Sequence, residues 1–365
     1  MDKPKKELDF IRGDDVKVEF IDWLWPNRWP MDMLSICAGI GGVSKSTMLL
    51  YMAAQITTGR PWIDDPPGTT REPGDVIIMS AEDTPGNIII PRLIAMGANI
   101  SRIYIIKGSK ITMPDGSVGF MGIEDLSKTG DLDLLLEMLK ICPNPMLVII
   151  DPYTAYMGSN ADSNDNIRVR SFLRPLGEVA ADHHIAIIGI THLNKKEDSS
   201  ADFRILGSVG QQNAARMVWL IAQDPDAEDR RYMVWFKGNL CPRNTGLAYR
   251  LINVLVTQPG TDKTQPYSQV CFEKDPIHLT ATELLAPKPK KSGRPKKQSE
   301  AGEWLESFLS EGPVDSTLIL TEGKVLGYSE STLRKVKKSM GILAIPIRTN
   351  INNLVSRWEW RLPSS

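Results

Sequence analysis

The stretch Gly39-Ile40-Gly41-Gly42-Val43-Ser44-Lys45-Ser46-Thr47 constrains the fold more than any other part of the chain. An apolar run, Leu34-Ser35-Ile36-Cys37-Ala38, leads into it, and Thr47-Met48-Leu49-Leu50-Tyr51-Met52-Ala53-Ala54 leads out. This order predicts a strand, a glycine-rich turn and a helix, the setting in which such a turn binds phosphate. Backbone N–H groups of the turn and the positive end of the helix would surround the phosphates of a nucleotide. The predicted ATP contacts are therefore Gly39, Gly41, Gly42, Val43, Ser44, Lys45, Ser46 and Thr47. Lys45 would reach the β- and γ-phosphates, and Ser46 would place its hydroxyl on Mg²⁺. The usual pattern has glycine before the lysine; Ser44 stands there as a small, tolerated variant. The competing reading is a glycine-rich turn that caps a helix and binds nothing.

Beyond this motif, strand-like apolar runs at 75–79, 103–106, 146–150 and 185–190 alternate with helical spacing over 85–96, 132–140 and 167–181. The alternation predicts an α/β fold with a mostly parallel twisted sheet covered by helices. Runs at 217–222, 232–237, 247–256 and 268–272 read as antiparallel strands finishing the sheet. A length of 365 residues suits one large α/β domain and a smaller one. No apolar run approaches the roughly 18 residues of a membrane span, and the first residues lack the apolar core of a secretory signal, so a cytoplasmic protein is expected. Cys37, Cys142, Cys241 and Cys271 are widely spaced, with no C-x-x-C pair, which argues against a disulfide framework or a zinc site. His183-His184 closes a helical run ahead of a strand and is not read as a metal site.

The net charge of −1 conceals an asymmetry: residues 1–286 carry −7 and residues from 287 onward +6. Residues 287–298 begin with Pro287-Lys288-Pro289-Lys290-Lys291-Ser292-Gly293-Arg294-Pro295-Lys296-Lys297, a composition that cannot form a core and reads as a linker. The predicted domains are thus 1–286, the linker, and a small helical unit over 299–365. In that unit an amphipathic helix over 300–309 precedes a turn, a cap by Ser329 or Ser331, and a basic helix. This is how a helix-turn-helix or winged helix presents its second helix. Arg334, Lys335, Lys337 and Lys338 would contact DNA phosphates rather than read bases, since no Asn or Gln interrupts that face. A protein-docking helix with a solvated basic side is the alternative.

Four residues stand where open α/β sheets bind ligands, at the carboxyl ends of strands. Asp151 ends the run 146–150, as a metal-holding aspartate would, or it caps the following turn. Glu82 and Asp83 follow the run 75–79; Glu82 is the expected base or water-positioning carboxylate, and an acidic helix start is the duller reading. His192 follows 185–190 and would sense the γ-phosphate, or be an ordinary core histidine.

Together these pieces resemble the RecA-like ATPases, and among them the RepA-like plasmid and phage replicative helicase group of AAA ATPases. The resemblance covers about 24–242. It is carried by Leu24-Trp25-Pro26, Thr58-Gly59-Arg60-Pro61-Trp62, Ser80-Ala81-Glu82-Asp83, Pro91-Arg92-Leu93, Asp151-Pro152, Thr191-His192-Leu193-Asn194-Lys195 and Asn213-Ala214-Ala215-Arg216. It implies that Lys45, Glu82, Asp151, His192 and Arg216 are catalytic, with Ser46 and Asp151 on Mg²⁺. Arg216 would be an arginine finger reaching the next subunit's nucleotide, assisted by Lys237 and Asn239; a surface salt bridge is the alternative for Arg216. The polar loops 159–170 and 196–212 would line a central channel that grips single-stranded DNA through Arg168, Arg170, Lys195, Lys196 and Arg204. Asp162, Asp165, Glu197, Asp198 and Asp202 dilute the charge there.

The leading expectation is an ATP-driven motor of a mobile element: a hexameric ring moving along single-stranded DNA and opening duplex for replication, with a primase or replication initiator as a candidate partner. The alternatives are a recombination ATPase that assembles on DNA without unwinding it, and a nucleotide-switched DNA-binding regulator. A partition-type ATPase is set aside because Ile40 stands where that group has lysine. A small-molecule kinase leaves the basic C-terminal unit unexplained.

Overall fold

The computed structural model describes residues 8, 10–127, 130–158, 166–193, 214–242, 245–285, 296–348 and 355–363. The chain falls into two compact units, Met1–Ala286 and Pro287–Ser365.

A short hairpin, β1 (Trp23–Trp25) and β2 (Trp29–Pro30), precedes the first unit's central sheet. That sheet is built from β3 (Leu34–Gly39), β4 (Asp75–Ser80) and β5 (Ile103–Ile106); then, after a separate hairpin of β6 (Ser109–Thr112) and β7 (Val118–Met121), from β8 (Pro145–Asp151), β9 (Ala186–His192), β10 (Met217–Gln223), β11 (Arg230–Gly238), β12 (Leu247–Thr257) and β13 (Thr264–Phe272). The nine strands lie in the order β13-β12-β11-β10-β3-β9-β8-β4-β5. Every pairing from β10 across to β5 is parallel, and β11, β12 and β13 continue antiparallel on the other side.

Each central strand sends alternate residues to two cores. On β8, Val148 and Ile150 face one core while Leu147 and Ile149 face the other. The first core takes the apolar sides of α3 (Leu132–Ile141) and α4 (Asn166–His183); the second takes α1 (Lys45–Thr58) and α2 (Ile90–Ala95). Both faces of the sheet are covered, so the strands read as continuous apolar runs, and the expected α/β class is the one the chain adopts.

Three details depart from the sequence reading. β10 is not wholly antiparallel: Met217 to Leu220 run parallel to β3 from Ser35 to Ala38, and only its other edge meets β11 antiparallel. Its buried run from Met217 to Ile221 marks it as a central strand. The helical stretch 85–96 is a π-helical turn, Pro85–Ile89, leading into α2. The β6–β7 hairpin was not anticipated, because its strands are short and mixed in polarity.

The aromatic motifs before β3 and after α1 pack on each other. Trp25 stacks on Trp62 with ring centroids 4.5 Å apart, and Trp62 Nε1 donates to the Leu24 carbonyl at 2.9 Å. Gly59, at φ 64, ends α1 in the left-handed conformation, and a Cβ there would collide with the Arg71 carbonyl. A final helix of this unit, α5, spans Ala281–Leu285.

The second unit contains α6 (Lys296–Phe308), β14 (Val314–Asp315), α7 (Ser316–Val325), α8 (Glu330–Ser339), β15 (Leu343–Arg348) and β16 (Val355–Arg361), with a sheet ordered β14-β16-β15. Leu305, Leu309, Ile319, Leu333, Val336 and Trp360 form its core. Of the two candidate caps, Ser329 is the one used, its hydroxyl accepting from the Thr332 N–H. Gly323 on α7 packs closely on α8, where a Cβ would meet the Leu333 side chain at 2.5 Å and oblige it to shift. Of the presumed linker, 287–295 lies outside the described residues, while Lys296 and Lys297 already belong to α6.

Candidate functional site

The parallel arrangement brings the carboxyl ends of β3, β9, β8 and β4 to one edge. Gly39 sits opposite His192, and Ser80 opposite Asp151. The glycine-rich turn, Lys45, Glu82, Asp151 and His192 therefore converge although they lie far apart in sequence.

Within the turn, Gly42 has φ 78 and Ser44 φ 71, so the chain folds back in the left-handed region before α1 begins at Lys45. The N–H groups of Gly41, Gly42, Val43 and Ser44 make no hydrogen bond among the described residues, and nothing lies within 4 Å of where a Cβ on Gly41 or Gly42 would stand. A cradle of unsatisfied donors at a helix N-terminus fits a phosphate. Gly39 has a different role: a Cβ would meet the Ile221 carbonyl at 2.5 Å, so this glycine lets β10 pack against the start of the loop.

Ser44 carries a cost that a glycine would not, because an L-residue in the left-handed region is disfavoured by about 1 kcal/mol. Ser44→Gly is expected to raise unfolding stability by about that amount. Urea denaturation of the nucleotide-free protein measures it, and an unchanged midpoint would show that the serine conformation is compensated.

Lys45 is 3% exposed. Its ammonium donates to the carbonyls of Gly39 and Ile40, both at 2.9 Å, and lies 3.2 Å from His192 Nδ1. Burial lowers its pKa, opposed by Cys37, Asp151 and Glu82 nearby. A buried cation whose own loop supplies only neutral partners suits an incoming polyanion. On its other side, His192 Nε2 approaches Glu82 Oε1 at 3.4 Å, linking lysine, imidazole and carboxylate in a row. Asp83 is engaged elsewhere: its carboxylate pairs with Arg92 at 2.9 Å and its N–H donates to Ser80 Oγ. Of the two adjacent acids, Glu82 is the one turned toward Lys45 and His192.

Asp151 is 5% exposed, with the Ser46 side chain close enough to favour its charged form. Burial raises its pKa, and the negative charges of Glu82 and Asp83 add to that, while Ser46 and Lys45 oppose it. Ser46 and Asp151 thus face each other as a hydroxyl and a buried carboxylate, a donor set that fits Mg²⁺. Because the folded state holds this proton more tightly than the unfolded one, the charged form weakens the nucleotide-free fold above the raised pKa. Asp151→Asn should therefore unfold at a higher temperature than wild type at neutral pH. The gap should close as pH falls toward the ordinary aspartate value, which thermal melts across pH will show.

Arg216 is not at this edge. It immediately precedes β10, is exposed, and its N–H donates to the Leu34 carbonyl at the start of β3. Its side chain makes no hydrogen bond or ion pair among the described residues. Lys237 pairs with Val218 and Gly238 with Met217, so Lys237 and Asn239 share that amino edge.

Arg168 and Arg170 are exposed on the first turns of α4. Lys195, Lys196 and Arg204, with most of both predicted channel loops, lie outside the described residues. On α8 the four basic side chains divide. Arg334 pairs with Glu330 at 2.6 Å, and the Lys337 ammonium lies 4.8 Å from the Trp360 ring centroid, its pKa lowered first by burial and then by Arg334. Lys335 and Lys338 are exposed. The contact of Lys337 with Trp360 joins residues distant in sequence, and no local pattern announced it or the nearer pairing of Asp83 with Arg92.

Among the described residues no group of His, Cys, Asp and Glu forms a metal cluster, and no helix is long and apolar enough to cross a membrane.

A wound sheet with an open phosphate cradle, a buried lysine and a carboxylate at its carboxyl edge defines a nucleotide-binding α/β protein. The family model described as "AAA domain" matches residues 3–198, more than half of the chain, and the chain belongs to that family; it carries an AAA-type ATPase domain. No curated relative matches it. Among solved structures, one whose title describes an ATPase domain aligns at 12% identity with a TM-score of 0.43, covering 60% of this chain and 82% of that one.

Proposed function

We propose that this chain is an ATP-hydrolysing, DNA-dependent motor that works as a head-to-tail ring, hexameric, and opens duplex DNA during replication of a plasmid, phage or other mobile element. One observation carries the reading. Arg216 stands at the amino edge of the sheet, a full strand from its own phosphate loop, which at about 3.3 Å per residue is roughly 17 Å. An arginine so placed cannot serve the nucleotide of its own chain but is presented to a neighbour, with Lys237 and Asn239 beside it.

In this reading the turn from Gly39 to Thr47 holds the phosphates of ATP, and Lys45 leaves the carbonyls of Gly39 and Ile40 for the β- and γ-phosphates. Ser46 and Asp151 hold Mg²⁺, which when bound offsets charge on the β- and γ-oxygens. Glu82 orients and deprotonates the attacking water, and His192, touching both Lys45 and Glu82, reports whether the γ-phosphate is present. Arg216 from the adjoining copy donates paired hydrogen bonds to the charge that develops on the transferred group. Single-stranded DNA would run along Arg168, Arg170, Lys195, Lys196 and Arg204.

ATP turnover with and without single-stranded DNA, together with mass measurement in a non-hydrolysable analogue, tests the motor. DNA should stimulate turnover and the analogue should favour closed oligomers. Turnover indifferent to DNA would remove the motor.

A second reading, a nucleotide-switched DNA-binding regulator, is favoured by the second unit, whose helix, strand, two helices and two paired strands follow the order of a winged helix with Lys335 and Lys338 outward on α8. Replacing both lysines by alanine should weaken duplex binding evenly across sequences and reduce the slope of log affinity against log salt by about 2. Strand-separation assays decide between the readings, since a regulator binds duplex without opening it.

A further inference from the structure

We propose that the second unit grips DNA where its bases come unpaired, stacking one such base on Trp358. This rests on the reading that the chain acts on DNA, and it holds for the motor and for the regulator alike.

Trp358 departs from what the other tryptophans do. All nine lie among the described residues, and Trp358 alone is exposed, at 48%. It stands on β16 opposite Pro346. Alternation along the strand puts it on the same face as Trp360, which is buried in the core of the unit. One indole is thus covered while the next on that face is left open. Beyond its ladder pairing with Pro346, Trp358 makes no hydrogen bond, ring stack or cation contact among the described residues.

The surroundings of the open ring are basic. From residue 330 onward seven Lys or Arg stand against two acids, Glu330 and Glu359. Each acid is held by an arginine, Glu330 by Arg334 at 2.6 Å and Glu359 by Arg357 at 2.7 Å. Glu359 alternates to the face opposite Trp358. The Lys337 ammonium reaches over the Trp360 ring, so α8 turns a basic flank toward the face on which Trp358 stands. Arg334 and Lys338 lie on adjoining positions of the same helix surface, three residues before Lys337 and four after Arg334.

Cations alone would suit any polyanion, and the indole narrows the choice. In an intact duplex both faces of every base are already stacked on neighbours, so an open ring finds nothing to cover. A strand whose bases have come apart presents them, and an aromatic platform flanked by lysines and arginines is the chemistry that holds such a strand. A single open indole beside clustered cations fits a nucleotide, a flat ring joined to an anion, better than the broad apolar patch a protein partner requires.

The test uses the full chain without nucleotide, in competition assays between forked DNA with single-stranded arms and relaxed closed-circular duplex, which has neither ends nor unpaired bases. Wild type should prefer the fork. Trp358→Ala should weaken fork binding about tenfold or more and leave circle binding unchanged, whereas Trp358→Phe keeps most of the preference. Lys335→Ala with Lys338→Ala should weaken both DNAs together. As an independent readout, the fork should quench tryptophan fluorescence in wild type more than in Trp358→Phe, and the circle should quench both equally. Trp358 is exposed, so thermal melts and DNA-free ATP turnover of its variants should match wild type. A wild type that binds fork and circle alike, a Trp358→Ala chain that keeps the preference, or one that loses circle binding to the same extent would each overturn the stacking site and leave the DNA reading intact. A wild type that binds neither DNA would overturn both.

Discussion

Arg216→Ala is expected to bind nucleotide as wild type does and to lose turnover by about 10³-fold or more. The separation follows from placement. Arg216 is exposed at the amino edge of β10, where its loss disturbs neither the core nor the cradle, so affinity and folding should survive while the shared transition state loses its outside cation. Single-turnover kinetics with a fluorescent ATP analogue will separate the two effects. A mixture sharpens the test. Lys45→Ala chains still offer Arg216, and Arg216→Ala chains still offer an intact phosphate loop, so in an equal mixture about a quarter of head-to-tail junctions regain both parts. Recovered activity would locate the arginine in trans; full turnover by Arg216→Ala alone would refute the shared site.

Lys45→Ala should abolish turnover, by about 10³-fold, and weaken ATP binding as well. The lysine is buried and donates to Gly39 and Ile40 in the nucleotide-free chain. Its removal takes away the charge that meets the phosphates and also leaves two loop carbonyls without their donor. Equilibrium titration with the ATP analogue, beside turnover, checks both. The contrast with Arg216→Ala is the informative part: one variant should lose binding and chemistry together, the other chemistry alone.

Much of the sheet could be read in the sequence, because each parallel strand is buried on both faces and so appears as a short unbroken apolar run ending in a polar residue. Asp151 and His192 showed themselves in this way, and the structure sets them on one edge with the glycine-rich turn. The orientation of β10 was hidden, since an apolar run looks alike whichever way its neighbours travel. The contrast between Glu82 and Asp83 in their present surroundings was also invisible: adjacent acids look equivalent until Arg92 is seen to hold one of them. Ser44 was noticed as a departure from the usual glycine, but only the backbone shows that the position demands a left-handed conformation.

The pairing of β10 with β3, Met217 against Ser35, carries a mechanical implication. One stiff pair of strands has the phosphate cradle at its far end and Arg216 at its near end, like the two arms of a seesaw. In the proposed assembly, this pair is held in the sheet between β9 and β11, so a protomer that shifts when its nucleotide is gripped carries its own guanidinium with it against the adjacent site. Firing in succession around the circle would then need no separate messenger between protomers.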